Sequence, residues 1–212
     1  MLKDINIVFT GGSGGNFLSR CLNLLNNFHC WRSSHTPTVL DDLEEKFKLF
    51  GYQDVINKER NWIQFENQSL RTISRYQLNK EGATGFFIQL FHVEKFFKSN
   101  QPNKDYCFYI NPFDNVEWCL ANSLYKNTPS SIETIMLGEP LLNRKDIVAV
   151  NCHNMVQSAQ SFLVEFKKIT DTVEYYPSAD ELQCVDQLYA QWKATTLPDH
   201  EIVEFLKKHH GI

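Results

Sequence analysis

The chain is expected to fold as a three-layer α/β protein, a parallel β-sheet flanked by helices and followed by a helical C-terminal tail, and three observations lead there. A β-branched run, Ile5–Phe9, meets a glycine-rich turn and then a helix-periodic stretch. Two further strand–loop–helix units follow, over Asp105–Tyr125 and Ile147–Ile169. From Ala179 onward apolar residues recur at helical spacing. Strands alternating with helices in this order pair in parallel, with crossover helices on both faces.

The first unit carries the strongest signal. After Thr10 comes Gly11-Gly12-Ser13-Gly14-Gly15-Asn16-Phe17, and then Phe17, Leu18, Cys21, Leu22 and Leu25 share one helical face while Arg20 and Asn23 fall on the other. Ser13 is the expected N-cap. Glycine on both sides of Ser13 lets the backbone approach a ligand, and the free N–H groups of a helix start suit an anion, with phosphate as the natural candidate. The ATP-type loop requires Gly-Lys-Ser/Thr, whereas this one ends Gly14-Gly15-Asn16. The dinucleotide pattern requires a third glycine where Phe17 stands. A plain tight β–α turn would need fewer than four glycines in five residues, since each costs chain entropy on ordering. Ligand binding is therefore the favoured reading.

Cys30–Thr38 reads as a loop, and Leu40, Leu43, Phe47 and Phe50 mark a helix stopping at Gly51. Beyond it, Trp62–Phe65 suggests a strand and Ser69–Tyr76 a helix carrying Arg71 and Arg75. Gly85–Phe91 is an apolar run of strand length that ends at His92, with a helix from about Val93. Asp105–Ile110 reads as a buried strand that Asn111-Pro112 closes, before a helix over Phe113–Tyr125. Thr128–Asp146 has no clear element and carries Pro129, Gly138 and Pro140, the composition of a lid or substrate loop. A strand over Ile147–Asn151 and a helix over Ser158–Ile169 complete the third unit. The tail is read as helices over Ala179–Ala194 and His200–His209, separated by Pro198, with a packing role.

Bulk properties narrow the function. The 212 residues suit a single domain over 1–212, and 42% hydrophobic residues suffice for a substantial core. Net charge is −4 with scattered lysines and arginines, which argues against nucleic acid as a partner. Six cysteines lack metal-ligand spacing and read as reduced, mostly buried thiols. The N-terminus has no signal-peptide pattern and no apolar run approaches about 18 residues, so a cytoplasmic protein without a membrane span is expected.

Three blocks together, the glycine loop after the first strand, the phrase Phe108-Tyr109-Ile110-Asn111-Pro112-Phe113-Asp114-Asn115-Val116, and the late strand and helix from Ile147 to Ile169, resemble the sulfotransferase family in order and spacing. That resemblance implies a P-loop-like sulfotransferase architecture. It implies that Gly11, Gly12, Ser13, Gly14, Gly15, Asn16 and Phe17 hold the 5′-phosphosulfate of the co-substrate 3′-phosphoadenosine 5′-phosphosulfate. It also implies that His92, eighteen residues before Ile110, serves as base toward a hydroxyl of a sugar or small-molecule acceptor. The chain departs from the family at three charge-handling positions: Gly12 replaces the loop Lys or Arg, Ile110 the 3′-phosphate arginine, and Trp118 the companion serine. The family's C-terminal Arg-Lys-Gly phrase is absent, with only Trp192-Lys193 near its place.

Sulfuryl transfer needs an anion cradle, a base and cations. Backbone N–H groups of Gly12–Asn16 offer the first and His92 the second, set against a packing role for that ring beside Phe91 and Phe96. Arg20, Arg32, Arg71 and Arg75 are the candidate cations. His35 is a candidate for the acceptor side, and Asp114 a helix-start carboxylate. Two other readings stand beside the transferase: a glycosyltransferase-like protein using another nucleotide donor, and a non-catalytic member that kept the fold and a weak anion site.

Overall fold

The computed structural model describes residues 4–25, 28–30, 71–78, 87–88, 105–126 and 131–210, and the account below concerns those. The sheet is built from β1 (Asp4–Thr10), β2 (Phe28–Cys30), β3 (Arg71–Leu78), β4 (Phe87–Ile88), β5 (Asp105–Asn111) and β6 (Val148–Asn151), in the order β2-β3-β1-β5-β6. Every pairing is parallel, and β4 pairs with the C-terminal end of β3. The first strand is thus the middle one. From it the chain fills one side with β2, β3 and β4, then crosses to the other with β5 and β6, which makes the C-terminal end of β1 a topological switch point.

The helices are α1 (Gly15–Asn23), α2 (Val116–Tyr125), α3 (Ile132–Met136), α4 (Cys152–Gln157), α5 (Ala159–Thr172), α6 (Ala179–Ala194) and α7 (Ile202–His210). Single 3-10 turns at Phe113–Asn115, Glu139–Asn143 and Asp199–Glu201 precede or join them. Most of the expected elements are present to within a few residues. Three expectations are corrected. Ser69–Tyr76, read as a helix, is largely strand β3. Its Ile73 and Leu78, an odd number of residues apart, are buried on opposite faces of the sheet, as a pleat requires. The Thr128–Asp146 stretch is no open lid in its described part. Ser131 caps α3 by accepting a hydrogen bond from Thr134 N at 3.2 Å, and Ile135 and Leu141 are buried. The expected helix from Phe113 begins as a 3-10 turn before α2. The strand over Trp62–Phe65 and the helices after Leu40 and Val93 lie outside the described residues.

Alternation along β1 divides the core. Ile5, Ile7 and Phe9 join Ile73, Phe108, Ile110 and Val150 on one face, and all seven helices contribute to that cluster. Val8, Leu78 and Tyr109 face the other way, where Leu141 from a 3-10 turn covers them. An aromatic column ties the two ends of the described chain together. Phe17 of α1 stacks on Trp192 of α6, with ring centroids 4.1 Å apart and planes at 4°, and also meets Phe162 of α5 at 5.0 Å. Tyr189 lies 5.2 Å from Phe162 and donates a hydrogen bond to the Val156 carbonyl at 3.3 Å. Such stacked pairs add to the energy of area burial.

Candidate functional site

Strand β1 ends at Thr10, and the turn that follows is held by both the backbone and the side chain of Ser13. Ser13 N donates to Thr10 O at 3.2 Å, and Ser13 Oγ donates to the same oxygen at 2.8 Å. With its hydroxyl used there, Ser13 does not cap α1. Gly14 takes that place in the left-handed region, φ 87°, and its carbonyl accepts the first helical bond from Leu18 N at 2.9 Å. Gly15, Asn16 and Phe17 form the first turn of α1, ahead of that bond. Asn16 is exposed, Gly12 and Gly14 partly exposed, and Gly11, Ser13, Gly15 and Phe17 buried.

Two of the glycines answer to space and a third to backbone conformation. A Cβ on Gly12, at φ 81°, would come within 2.0 Å of the Cys119 carbonyl oxygen. One on Gly15 would enter the Phe9 ring at 2.1 Å, so this glycine lets α1 approach β1 closely. At Gly14 the positive φ decides, since a Cβ would only touch Trp192 at 3.0 Å. The Trp192 indole therefore walls one side of the helix start.

Beside the loop, β5 and β6 end on register partners, Asn111 and Asn151. Asn111 Oδ1 accepts from Phe113 N at 3.0 Å and turns the chain into α2. Asn151 Oδ1 caps α4 by accepting from Asn154 N at 2.9 Å, while its amide donates to the Asp114 carboxylate. Asp114 is thus a tether between strand ends as well as a helix-start carboxylate. Behind them Glu165, its side chain 3% exposed, accepts from Asn151 N at 3.0 Å, Asn154 Nδ2 at 2.9 Å and Lys168 Nζ at 2.6 Å. Burial pushes this carboxyl up, but the hydrogen bonds from Asn154, Lys168 and Asn151 outweigh it and hold the group below its ordinary range. At the end of β1, Thr10 Oγ1 is buried without a hydrogen-bond partner, as are Tyr109 OH and Trp118 Nε1.

The sequence-derived site residues therefore separate into groups. Gly11–Phe17 form one turn at the C-terminal end of the middle strand. His92, Arg32 and His35 lie outside the described residues. Arg20 sits in the last turn of α1, at the far end from the glycine loop, where a cation complements the helix dipole. Arg71 opens β3, about 23 Å of strand away from its C-terminal end. Arg75 is register partner to Ile7, inside the sheet's length. Ile110 and Trp118, where the family has its arginine and serine, are buried in the main core. Sequence reasoning did not assign a site role to Asn151, Asn154 or Glu165. Glu165 was discoverable as the one carboxylate on the apolar stripe Phe162, Glu165, Phe166, Ile169.

No family model matches this sequence, and neither does any curated protein or solved structure. Among the described residues, no helix is long and apolar enough to cross a membrane, and no group of three His, Cys, Asp or Glu side chains is placed to hold a metal ion.

Proposed function

We propose that the chain is a sulfotransferase-like transferase that seats the phosphate of a nucleotide donor on the Gly11–Phe17 loop and passes a sulfuryl group to a hydroxyl of a sugar or small-molecule acceptor, with His92 as base. One observation carries the reading: a glycine-rich turn with two left-handed glycines opens a nine-residue helix at the C-terminal end of the middle strand, at the switch point of a parallel sheet. The strand order supports a P-loop-like architecture. In the dinucleotide and flavodoxin-type orders the second strand lies beside the first, whereas here β1 lies between β3 and β5. The donor would be 3′-phosphoadenosine 5′-phosphosulfate, and Trp192, near the place of the family's C-terminal phrase, lies against Gly14.

Burial of Ile110 and Trp118 favours a second reading, a protein that keeps the anion loop without the donor grip or catalysis. A thermal-shift series with adenosine 3′,5′-bisphosphate, nucleoside diphosphates and nucleotide sugars separates the readings, since a ligand bound only to the folded state raises the melting temperature. The transferase reading expects a shift with the adenosine bisphosphate that Gly14→Val abolishes. It also expects turnover to fall roughly 10²-fold or more in His92→Ala with donor affinity unchanged. A shift only with nucleotide sugars would point to a glycosyltransferase-like donor. No shift with any ligand would leave the non-catalytic reading.

A further inference from the structure

Two thiols meet directly beneath the glycine loop. Cys119 on α2 and Cys152, the first residue of α4, are both fully buried and unbridged, with their Sγ atoms 3.6 Å apart. Each also touches the loop. The Cys119 carbonyl oxygen occupies the space that a Gly12 Cβ would need, and the Cys152 thiol reaches the Ser13 carbonyl at 3.7 Å. The contact with Cys152, and then burial, hold the Cys119 thiol well above its ordinary pKa, so Cys119 rests as a protonated thiol.

We propose that Cys119 and Cys152 are a peroxide-sensitive dithiol whose closure to a disulfide draws α2 and α4 together and so alters the loop that rests on both. The oxidant is hydrogen peroxide, small enough to enter on a brief opening of this contact. One cysteine sulfur, as thiolate, displaces hydroxide from peroxide and becomes a sulfenic acid. The second sulfur then attacks that sulfur, the S–S bond forms as the S–O bond breaks, and water leaves. The balance is two thiols and one peroxide to one disulfide and two waters, with both electrons passing from the sulfurs to the peroxide. A disulfide needs its sulfurs about 2.0 Å apart, so the pair must close by roughly 1.5 Å. The Cys152 S–H donor to Ser13 is lost in the process, and Gly12, already in contact with the Cys119 carbonyl, has no slack to absorb the movement. None of this chemistry depends on the anion-binding reading.

The test uses the full chain, reduced, freed of reductant and titrated with hydrogen peroxide, then denatured, alkylated and mapped by mass spectrometry without reduction. The expected result is a mass loss of about 2 Da with two fewer alkylatable thiols. A linked peptide pair should contain Cys119 and Cys152, appear before the half-buried Cys184 gains oxygen, and revert with dithiothreitol. In Cys152→Ser, Cys119 should instead be trapped by dimedone as a sulfenic acid, with no link. Oxidation of Cys184 while Cys119 and Cys152 both remain alkylatable would overturn the proposal, and the wild-type mapping decides this even if the variant fails to fold. Amide exchange over residues 10–18, compared between the reduced and linked forms, reads the effect on the loop, and identical exchange would overturn that coupling. Neither readout contains a nucleotide, so failure of donor binding and failure of this proposal are separately visible.

Discussion

At the scale of single residues, the polar interior is concentrated on Glu165, which gathers the ends of β6, α4 and its own helix through Asn151, Asn154 and Lys168. Its carboxyl is held below the ordinary range, so the folded state binds its proton less readily than the unfolded chain. The stability this confers is fully present above the unfolded carboxylate pKa and is lost as pH falls through the folded value. Glu165→Gln should lower unfolding stability by about 1.5–3 kcal/mol at pH 7, the scale of hydrogen bonds to a charged group. The gap from wild type should narrow as pH falls below the usual carboxylate range, as urea titrations at a series of pH values would register. The glycines allow a second comparison. Gly12→Ala meets backbone at 2.0 Å and should be severely destabilising, whereas Gly14→Ala meets only the edge of a side chain at 3.0 Å and should cost about 1–2 kcal/mol for its left-handed φ. Equal melting temperatures for the two variants would contradict this assignment. The steric causes at Gly12 and Gly15 involve Cys119, far along the chain, and the rotamer of Phe9. The sequence therefore made the loop visible but left invisible which glycine answers to space and which to backbone conformation.

At the scale of elements, caps and turns account for what was legible and what was not. Helix α6 has the bounds expected from its periodicity, because Ser178 and Glu181 form a reciprocal capping box and Thr195 ends it. Helix α5 ends in a Schellman turn, with Glu174 N bonded to Asp171 O at 3.1 Å and Tyr175 N to Thr170 O at 2.9 Å. The residue that turns the chain there is Glu174, at φ 55°, a conformation that glycine adopts without penalty. Glu174→Gly is therefore expected to stabilise the protein by about 0.5–1 kcal/mol, and calorimetric melting checks it. A fall in melting temperature would mean that the Glu174 side chain contributes more than its backbone costs. Strand β3 was misread because the two aliphatic residues of Arg71–Leu78, Ile73 and Leu78, fall on opposite faces and give neither a stripe nor a run. Its strand state comes from β1 alongside it, a tertiary cause that no local window contains. Ser131–Met136 was missed for a different reason: its Ser-x-x-Thr start is a cap signal, but five residues are too short to develop periodicity.

At the scale of the whole molecule, Ile110 and Trp118, standing where the sulfotransferase family carries its 3′-phosphate arginine and serine, are buried in the core. Ile110 packs under the sheet, and Trp118 lies 5.8 Å from Trp192 in an edge-on pair. Neither can make the charge-assisted contact of an arginine fork. Adenosine 3′,5′-bisphosphate should accordingly bind with less than about tenfold preference over adenosine 5′-phosphate, a margin of ~1.4 kcal/mol, in titration calorimetry. A hundredfold preference would require another cation to have taken over the role. The stack of Phe17 on Trp192 bears on how the molecule comes to exist. These rings close a loop of 175 residues, and β1 gains its β5 neighbour only from far along the chain, Ile7 pairing with Phe108. Contacts of such sequence separation slow folding, because the entropy of closing the loop is spent before the contact returns anything. On a ribosome, the first strand and its glycine turn would be the earliest part of the sheet to emerge, and this apolar central strand would need protection until β3 and β5 have been made, while the turn would wait for Trp192.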